Sequence, residues 1–222
     1  MRSVKTLAII GALIGATPAL AVDFTFTGPT AIPGNGTFGP AADFPIEFSV
    51  SGLGTVTDVN VTLTGLTHSY SDDLQMILVS AAGTRVLLMN EAGGPANWNN
   101  DTVTFDQSAA AAMPNSFGGT NFNIPSGSYK PSAYSVGPVL SLLIDGDNLD
   151  LFNGEDANGT WKLFISDVSL FDAGSVQGVT LSIDALTPPP AVPEPATWAM
   201  LIGGFALTGL AMRRSATRVS FA

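Results

Sequence analysis

The stretch that decides the fold is residues 55–90, TVTDVNVTLTGLTHSYSDDLQMILVSAAGTRVLLMN. Within it, residues 59–63 alternate apolar and polar side chains, which is the two-residue period of a strand buried on one face. Two more continuously apolar runs follow at 74–79 and 85–89, and such runs are typical of central strands. The five residues 80–84 join these two predicted strands. This part of the chain is therefore predicted to be β-structure.

The same pattern extends outward from this stretch. Residues 46–50, 161–165 and 179–183 alternate in the same way, and glycine and proline clusters separate the segments. Eight or nine short strands with such turns predict an all-β protein, a jelly-roll-like β-sandwich. Residues 97–134 have little strand pattern, and we expect long surface loops there.

The N-terminus has the three parts of a secretory signal peptide in order. A basic head precedes the uncharged apolar run 7–16, and the small residues Ala19 and Ala21 form an A-x-A site. This pattern predicts that residues 1–21 are removed by signal peptidase after Ala21. The alternative is a buried N-terminal helix.

The C-terminus carries a second uncharged segment. Residues 196–212 precede Arg213 and Arg214, and their length is at the lower limit for a bilayer span. We therefore predict a single apolar transmembrane helix with a basic tail over 196–222. The proline-rich residues 188–195 before it predict an extended spacer.

Charge and composition limit the functions that the span 22–187, between these two segments, can have. It keeps three basic and seventeen acidic residues, a net charge of −14, whereas the whole chain carries −10. Such a field attracts cations and repels nucleic acid, so no nucleic-acid role is expected. The chain has no cysteine, so one domain of this size must rely on its apolar core.

The C-terminal residues resemble the PEP-CTERM sorting signal of Gram-negative bacteria. The resemblance is carried by a motif, an uncharged segment and a closing arginine pair; the matching residues are Val192, Pro193, Glu194, Pro195, Arg213 and Arg214. It implies recognition by an exosortase, an inner-membrane intermediate, and a final place at the cell surface or in extracellular polymer. An ordinary single-pass anchor is the alternative.

The span 22–187 resembles the P domain (P/Homo B), the β-sandwich that follows the catalytic domain in kexin- and furin-type proteases. The resemblance rests on 55–90, on SGSYKP at 126–131 and on FNGEDANGTWKLFISDVSLFDAGSVQGVTLSI at 152–183. It implies a P domain-like sandwich without the protease that P domains normally follow.

Catalytic residues are scarce. His68 is the chain's one histidine, and without cysteine there is no thiol nucleophile. We expect His68 to be a structural residue at a strand end, as the P-domain resemblance implies. Paired carboxylates could serve a glycosidase, but seventeen acids in one domain make nearness alone uninformative. The protein is therefore predicted not to be an enzyme.

Acidic loops rich in glycine and asparagine suggest calcium, which binds carboxylate and carbonyl oxygens. The first predicted set, whose loops the resemblance places at one end of the sandwich, is Asp72, Asp73, Glu155 and Asp156. The second set is Asp145, Asp147 and Asp150, which lacks the spacing of an EF-hand. The alternative for both is a solvated acidic loop.

Two tryptophans are predicted to differ. Trp161 alternates with apolar residues and belongs to the core, whereas Trp98, in the run NWNN, is expected to be exposed.

These features predict a non-enzymatic exported module, with a binding or structural role in exopolysaccharide or biofilm matrix. The competing interpretation is an accessory domain that binds or stabilises a separate serine protease.

Overall fold

The computed structural model of the protein describes residues 19–119, 122–134, 143–186 and 195–214. The chain divides into two compact units, Met1–Pro188 and Pro189–Ala222. Residues 1–18 and 192–194 lie outside the described part, so most of the predicted signal peptide and most of the VPEP motif stay predictions.

The described part of the first unit consists of strands and two short 3-10 helices. The strands are β1 (Ala19–Ile32), β2 (Gly39–Pro40), β3 (Ile46–Val50), β4 (Val56–His68), β5 (Leu74–Val79), β6 (Arg85–Asn90), β7 (Trp98–Asp106), β8 (Gly127–Tyr129), β9 (Ser132–Ala133), β10 (Gly159–Asp167) and β11 (Gly174–Leu186). The 3-10 helices are Ser71–Asp73 and Leu149–Phe152.

The strands form two sheets. The first has the order β1-β11-β4-β7-β8, and the second has the order β2-β10-β5-β6-β9, with β3 also paired to β10. Neighbours are antiparallel except for the short pairs β7–β8 and β6–β9. The prediction of an all-β fold is confirmed.

One hydrophobic cluster lies between the sheets. Val61 and Leu63 of β4 belong to it together with Met76 of β5 and Leu163 of β10, and all four side chains are fully buried. The alternation in β4 has this cause, because every second side chain of a strand faces the same side. Burial of both inner faces gives the sandwich its core and its main stabilisation.

Most predicted strands coincide with observed ones, and one expectation was wrong. The strands predicted at 46–50 and 74–79 have those bounds in β3 and β5. Residues 97–134, expected to be loops, contain the nine-residue strand β7 in the middle of a sheet. Its buried residues Val103 and Phe105 alternate with threonines, a signal that the neighbouring polar and glycine-rich segments obscured.

Four strand ends meet at one end of the sandwich. His68 ends β4 and pairs with Gly174, the first residue of β11. Asp167 ends β10 and pairs with Leu74, the first residue of β5. The side chains of His68 and Asp167 touch, so both sheets meet here. We call this place the His68 end.

The second unit contains one helix, α1 (Pro195–Arg214). A membrane-spanning helix was expected in this part of the sequence. Among the residues that the structure describes, no helix has both the length and the apolarity that crossing a bilayer requires.

Candidate functional site

The first predicted calcium set is divided between opposite ends of the sandwich. Asp72 and Asp73 lie in the 3-10 helix that follows β4, at the His68 end. Glu155 and Asp156 contact the start of β4, where the Val56 N–H donates to the Glu155 carbonyl oxygen (2.9 Å). A strand of 13 residues separates the two pairs, roughly 40 Å at about 3.3 Å per residue. The expectation that they lie together was wrong.

The reason is the direction of the strands. Asp73 precedes β5 and Glu155 precedes β10, and these two strands are antiparallel neighbours. The residues before one strand therefore lie beside the residues after the other. Asp73 is placed near Asp167, which ends β10, rather than near Glu155.

The separated acids have local partners. The Thr84 hydroxyl donates to Glu155 Oε1, while Glu155 Oε2 is buried without a partner in the described chain. Asp156 Oδ1 accepts from the backbone N–H and the side-chain amide of Asn158, and these bonds hold the pKa of Asp156 below its usual value.

The second predicted set contributes to turns. Asp145 Oδ2 accepts from the Arg85 N–H (2.8 Å), and the Asn148 side chain accepts from the Asp150 N–H (2.7 Å) at the start of the second 3-10 helix. Asp147 is exposed beside them. Within the described ranges, no three carboxylate or imidazole side chains lie close enough to hold a metal ion together. Calcium binding stays a prediction.

His68 is enclosed at the end of β4. Its side chain and that of Asp167 are both fully buried, with 3.1 Å between Nε2 and Oδ2. On the other side of the ring, Nδ1 lies 2.8 Å from the Tyr70 carbonyl oxygen and 3.3 Å from the Tyr70 nitrogen. Whichever tautomer is present, both ring nitrogens are in contact with protein atoms. The predicted structural role of His68 agrees with this geometry.

A group of carboxylates surrounds this pair. Burial, followed by the nearby charges of Asp167 and Asp172, raises the pKa of Asp73 to about 7. Burial also raises the pKa of Asp167, although the Ser169 N–H and His68 oppose the rise. The Ser69 hydroxyl donates to Asp172 Oδ1 (2.6 Å). Asp73 therefore keeps its proton to a higher pH than an ordinary aspartate does, because burial and its charged neighbours disfavour the carboxylate.

The sequence analysis did not single out Asp167 or Asp172. Each lies at an end of the loop between β10 and β11, and the strand pattern of 161–165 already indicated where β10 would end. Which carboxylates meet there depends on the pairing of β5 with β10, which the pattern of one strand does not contain.

An open cleft of about 320 Å³ lies at the same end. It crosses neighbouring chain segments of the first sheet, from the start of β11 over the end of β4 to the start of β7. Its lining is Thr67, His68, Ser69, Asn97, Trp98, Asn99, Asn123 and Ala173. Apart from His68, which is paired with Asp167, these side chains carry no titratable group.

The tryptophan predictions had different outcomes. Trp161 is fully buried, and its indole N–H donates to the Ala157 carbonyl oxygen (2.9 Å), so the core prediction is confirmed. Trp98, expected to be exposed, is 3% exposed, because it pairs with His68 inside the first sheet.

The predicted processing sites lie at the edges of the described chain. Ala19 and Ala21 belong to β1, where they pair with Leu186 and Asp184. Pro195 begins α1 and Arg214 ends it. Cleavage after Ala21 and sorting at the C-terminus stay predictions.

Comparison with known proteins gave limited likeness. No protein-family model matches the chain, and no curated protein matches it in sequence. A structure of the Aeromonas sobria serine protease in complex with its chaperone is similar at a TM-score of 0.42 and 16% identity, over 78% of this chain and 28% of that one. A structure of the serine protease of Aeromonas sobria is similar at a TM-score of 0.40 and 16% identity, over 76% of this chain and 27% of that one. The chain thus spans less than a third of the proteins it matches, and likeness of this size says nothing about what it binds.

Proposed function

We propose that this protein is an exported, non-enzymatic β-sandwich module that binds polysaccharide of the extracellular matrix. The observation that carries the proposal is the enclosure of His68. A general base must come within hydrogen-bond reach of the proton that it abstracts. The imidazole of His68 is fully buried and contacts Asp167 and Tyr70 through its two nitrogens, so it would have to leave this pair to reach a substrate.

Export is supported by the sequence at both ends. The A-x-A site at Ala19 and Ala21 follows a basic head and an apolar run, and 192–195 resemble the PEP-CTERM motif. That resemblance implies an exosortase as a processing partner and the cell surface or surrounding polymer as the destination. The P-domain resemblance supports the same kind of module, because it implies a β-sandwich without the protease that P domains normally follow.

Co-sedimentation with polysaccharide tests the binding part of the proposal. The exported protein is mixed with polysaccharide purified from the matrix of its own cells, and pellet and supernatant are compared. We expect the protein in the pellet and an unchanged chain length of the polymer. A His68→Gln variant that still folds shows whether any change in the polymer depends on this imidazole.

Two results would contradict the proposal. Release of new reducing ends from the polymer, lost in the His68→Gln protein, would show that the protein is a hydrolase. Protein that stays in the supernatant but co-purifies stoichiometrically with a serine protease would favour the accessory-domain alternative.

A further inference from the structure

Three asparagine side chains in the cleft at the His68 end have no hydrogen-bond partner in the described part of the chain. Asn97 and Asn99 lie on either side of Trp98 at the start of β7, and Asn123 forms a bridge with Asn97 through the backbone. No hydrogen bond joins the side-chain amides of these residues to the rest of the described chain. Asn99 and Asn123 are exposed, and Asn97 is half-buried. The cleft therefore presents three unused amide groups.

The chemistry of these groups is suited to hydroxyl-rich ligands. Each amide offers a carbonyl acceptor and two N–H donors, and a sugar hydroxyl both donates and accepts. The volume of about 320 Å³ is at the lower end of the range for ligand clefts. A carboxylate or phosphate ligand would instead require a basic group, and no lysine or arginine belongs to the lining.

An exposed aromatic residue lies two positions from the cleft lining. Phe171 is 88% exposed, and its backbone has a φ of 84°, which is strained for a bulky side chain. It lies two residues before Ala173, which lines the cleft, so their Cα atoms are at most roughly 7.6 Å apart. A strained conformation that exposes an apolar ring to water is of the kind found at binding sites.

The loop that carries Phe171 is held at both ends. The Val168 N–H donates to the Asp73 carbonyl oxygen (2.8 Å), and the Ser169 N–H donates to Asp167 Oδ1 (2.9 Å). At the other end, Ser69 bonds to Asp172. The ring is therefore presented from a fixed loop, so little conformational entropy is lost when a ligand packs on it.

The surrounding charge selects among sugars. Asp167 and Asp172 lie at this end of a domain whose span 22–187 carries −14. Uronic acids and other anionic sugars would be repelled. The carboxylates near the cleft already have partners in the protein. Asp167 contacts His68, and Asp172 accepts a hydrogen bond from Ser69, so neither carboxylate requires a cationic amine from a ligand.

We infer that the cleft at the His68 end is a binding site for an uncharged, hexose-based glycan. The amides of Asn97, Asn99 and Asn123 hydrogen-bond to the hydroxyls of one sugar, and the face of a neighbouring sugar packs on the Phe171 ring. The inference rests on the proposed function and assigns it a site and a sugar class.

Affinity electrophoresis tests the inference with defined probes. The purified exported protein is run in gels that contain a neutral glucan, galactan or mannan, and in gels that contain polygalacturonate or chitosan. We expect retardation by at least one neutral polymer that persists in high salt. An Asn99→Ala/Asn123→Ala double variant is expected to lose the retardation, whereas Asn153→Ala, an exposed asparagine far from the His68 end, keeps it.

Phe171→Gly separates binding from stability. Glycine adopts a φ of 84° without strain, so the variant should melt at the same temperature or higher while its retardation falls about tenfold. Leu151→Ala, an exposed apolar residue in the second 3-10 helix, is the matched control and should bind like the original protein.

Each other outcome overturns the inference. Retardation by chitosan alone that disappears in salt would indicate binding by charge. Retardation by a neutral polymer that survives both the asparagine and the Phe171 variants would place the site elsewhere and leave the proposed function intact. No retardation by any neutral polymer, in a protein that still pellets with its own matrix, would refute the sugar class alone.

Discussion

Replacing Asp73 with asparagine should remove a pH dependence of stability. The pKa of Asp73 is 3.8 in an unfolded chain and about 7 in the folded protein, because burial and the charges of Asp167 and Asp172 disfavour the carboxylate. The folded state thus holds this proton more tightly. The stability that protonated Asp73 contributes to the folded protein is fully present below about pH 4 and is lost as the pH rises through about 7.

The size of the effect follows from the two pKa values. One pKa unit corresponds to about 1.36 kcal/mol, so ionising Asp73 costs the folded state about 4 kcal/mol once the pH is well above 7. Between pH 5 and pH 8 the free energy of unfolding of the original protein falls by about 3 kcal/mol for this reason. The Asp73 side chain is hydrogen-bonded to Asp172. Asparagine keeps an N–H donor for this bond and cannot ionise. The difference in free energy of unfolding between the variant and the original protein should therefore shift by about 3 kcal/mol in favour of the variant from pH 5 to pH 8.

Urea denaturation at pH 5, 6, 7 and 8, followed by tryptophan fluorescence, measures this difference. Asp147→Asn, at an exposed acid in the opposite half of the chain, controls for the change in net charge. The unfolding free energies of the Asp73→Asn and original proteins could instead differ by the same amount at all four pH values. The pKa of Asp73 would then not be raised in the folded protein, and the reasoning would fail.

Two further changes test the packing at the His68 end. Asp167→Ala removes one partner of a buried pair and should lower the free energy of unfolding by about 3 kcal/mol or more in urea denaturation; a loss below about 1 kcal/mol would mean that the pair is not buried as described. Gly174→Ala places a Cβ on the Thr67 carbonyl oxygen and should lower the free energy of unfolding by about 1–3 kcal/mol in the same measurement. Gly119→Ala is the control, because a Cβ added there meets no atom within 4 Å, and it should lower the free energy of unfolding by less than about 1 kcal/mol. Equal losses in the two glycine variants would contradict the close approach of β11 to β4.

The strands could be predicted where burial leaves a periodic trace. Leu74–Val79 is apolar throughout because β5 lies in the interior of its sheet, and its bounds follow from the sequence. β7 was missed although Val103 and Phe105 alternate with threonine, because its first residues are polar. β1 also alternates, at Val22, Phe24 and Phe26, and was not assigned.

The candidate site could be predicted less well, because it depends on long-range pairing. The sequence indicates that His68 ends a strand, but its partner Asp167 is 99 residues away. Asp73 and Glu155 were grouped on the resemblance, and the antiparallel order of β5 and β10 separates them. The cleft joins segments around 67, 98, 123 and 173, which only the register of three strands brings together.

The central claim is that this module is delivered outside the cytoplasm to bind there. The most direct measurement is the intact mass of the protein from each cell fraction and from the medium. The account predicts protein in the surface or extracellular fraction with a mass that begins at Val22. A chain that keeps residues 1–21 and stays in the cytoplasm would contradict it.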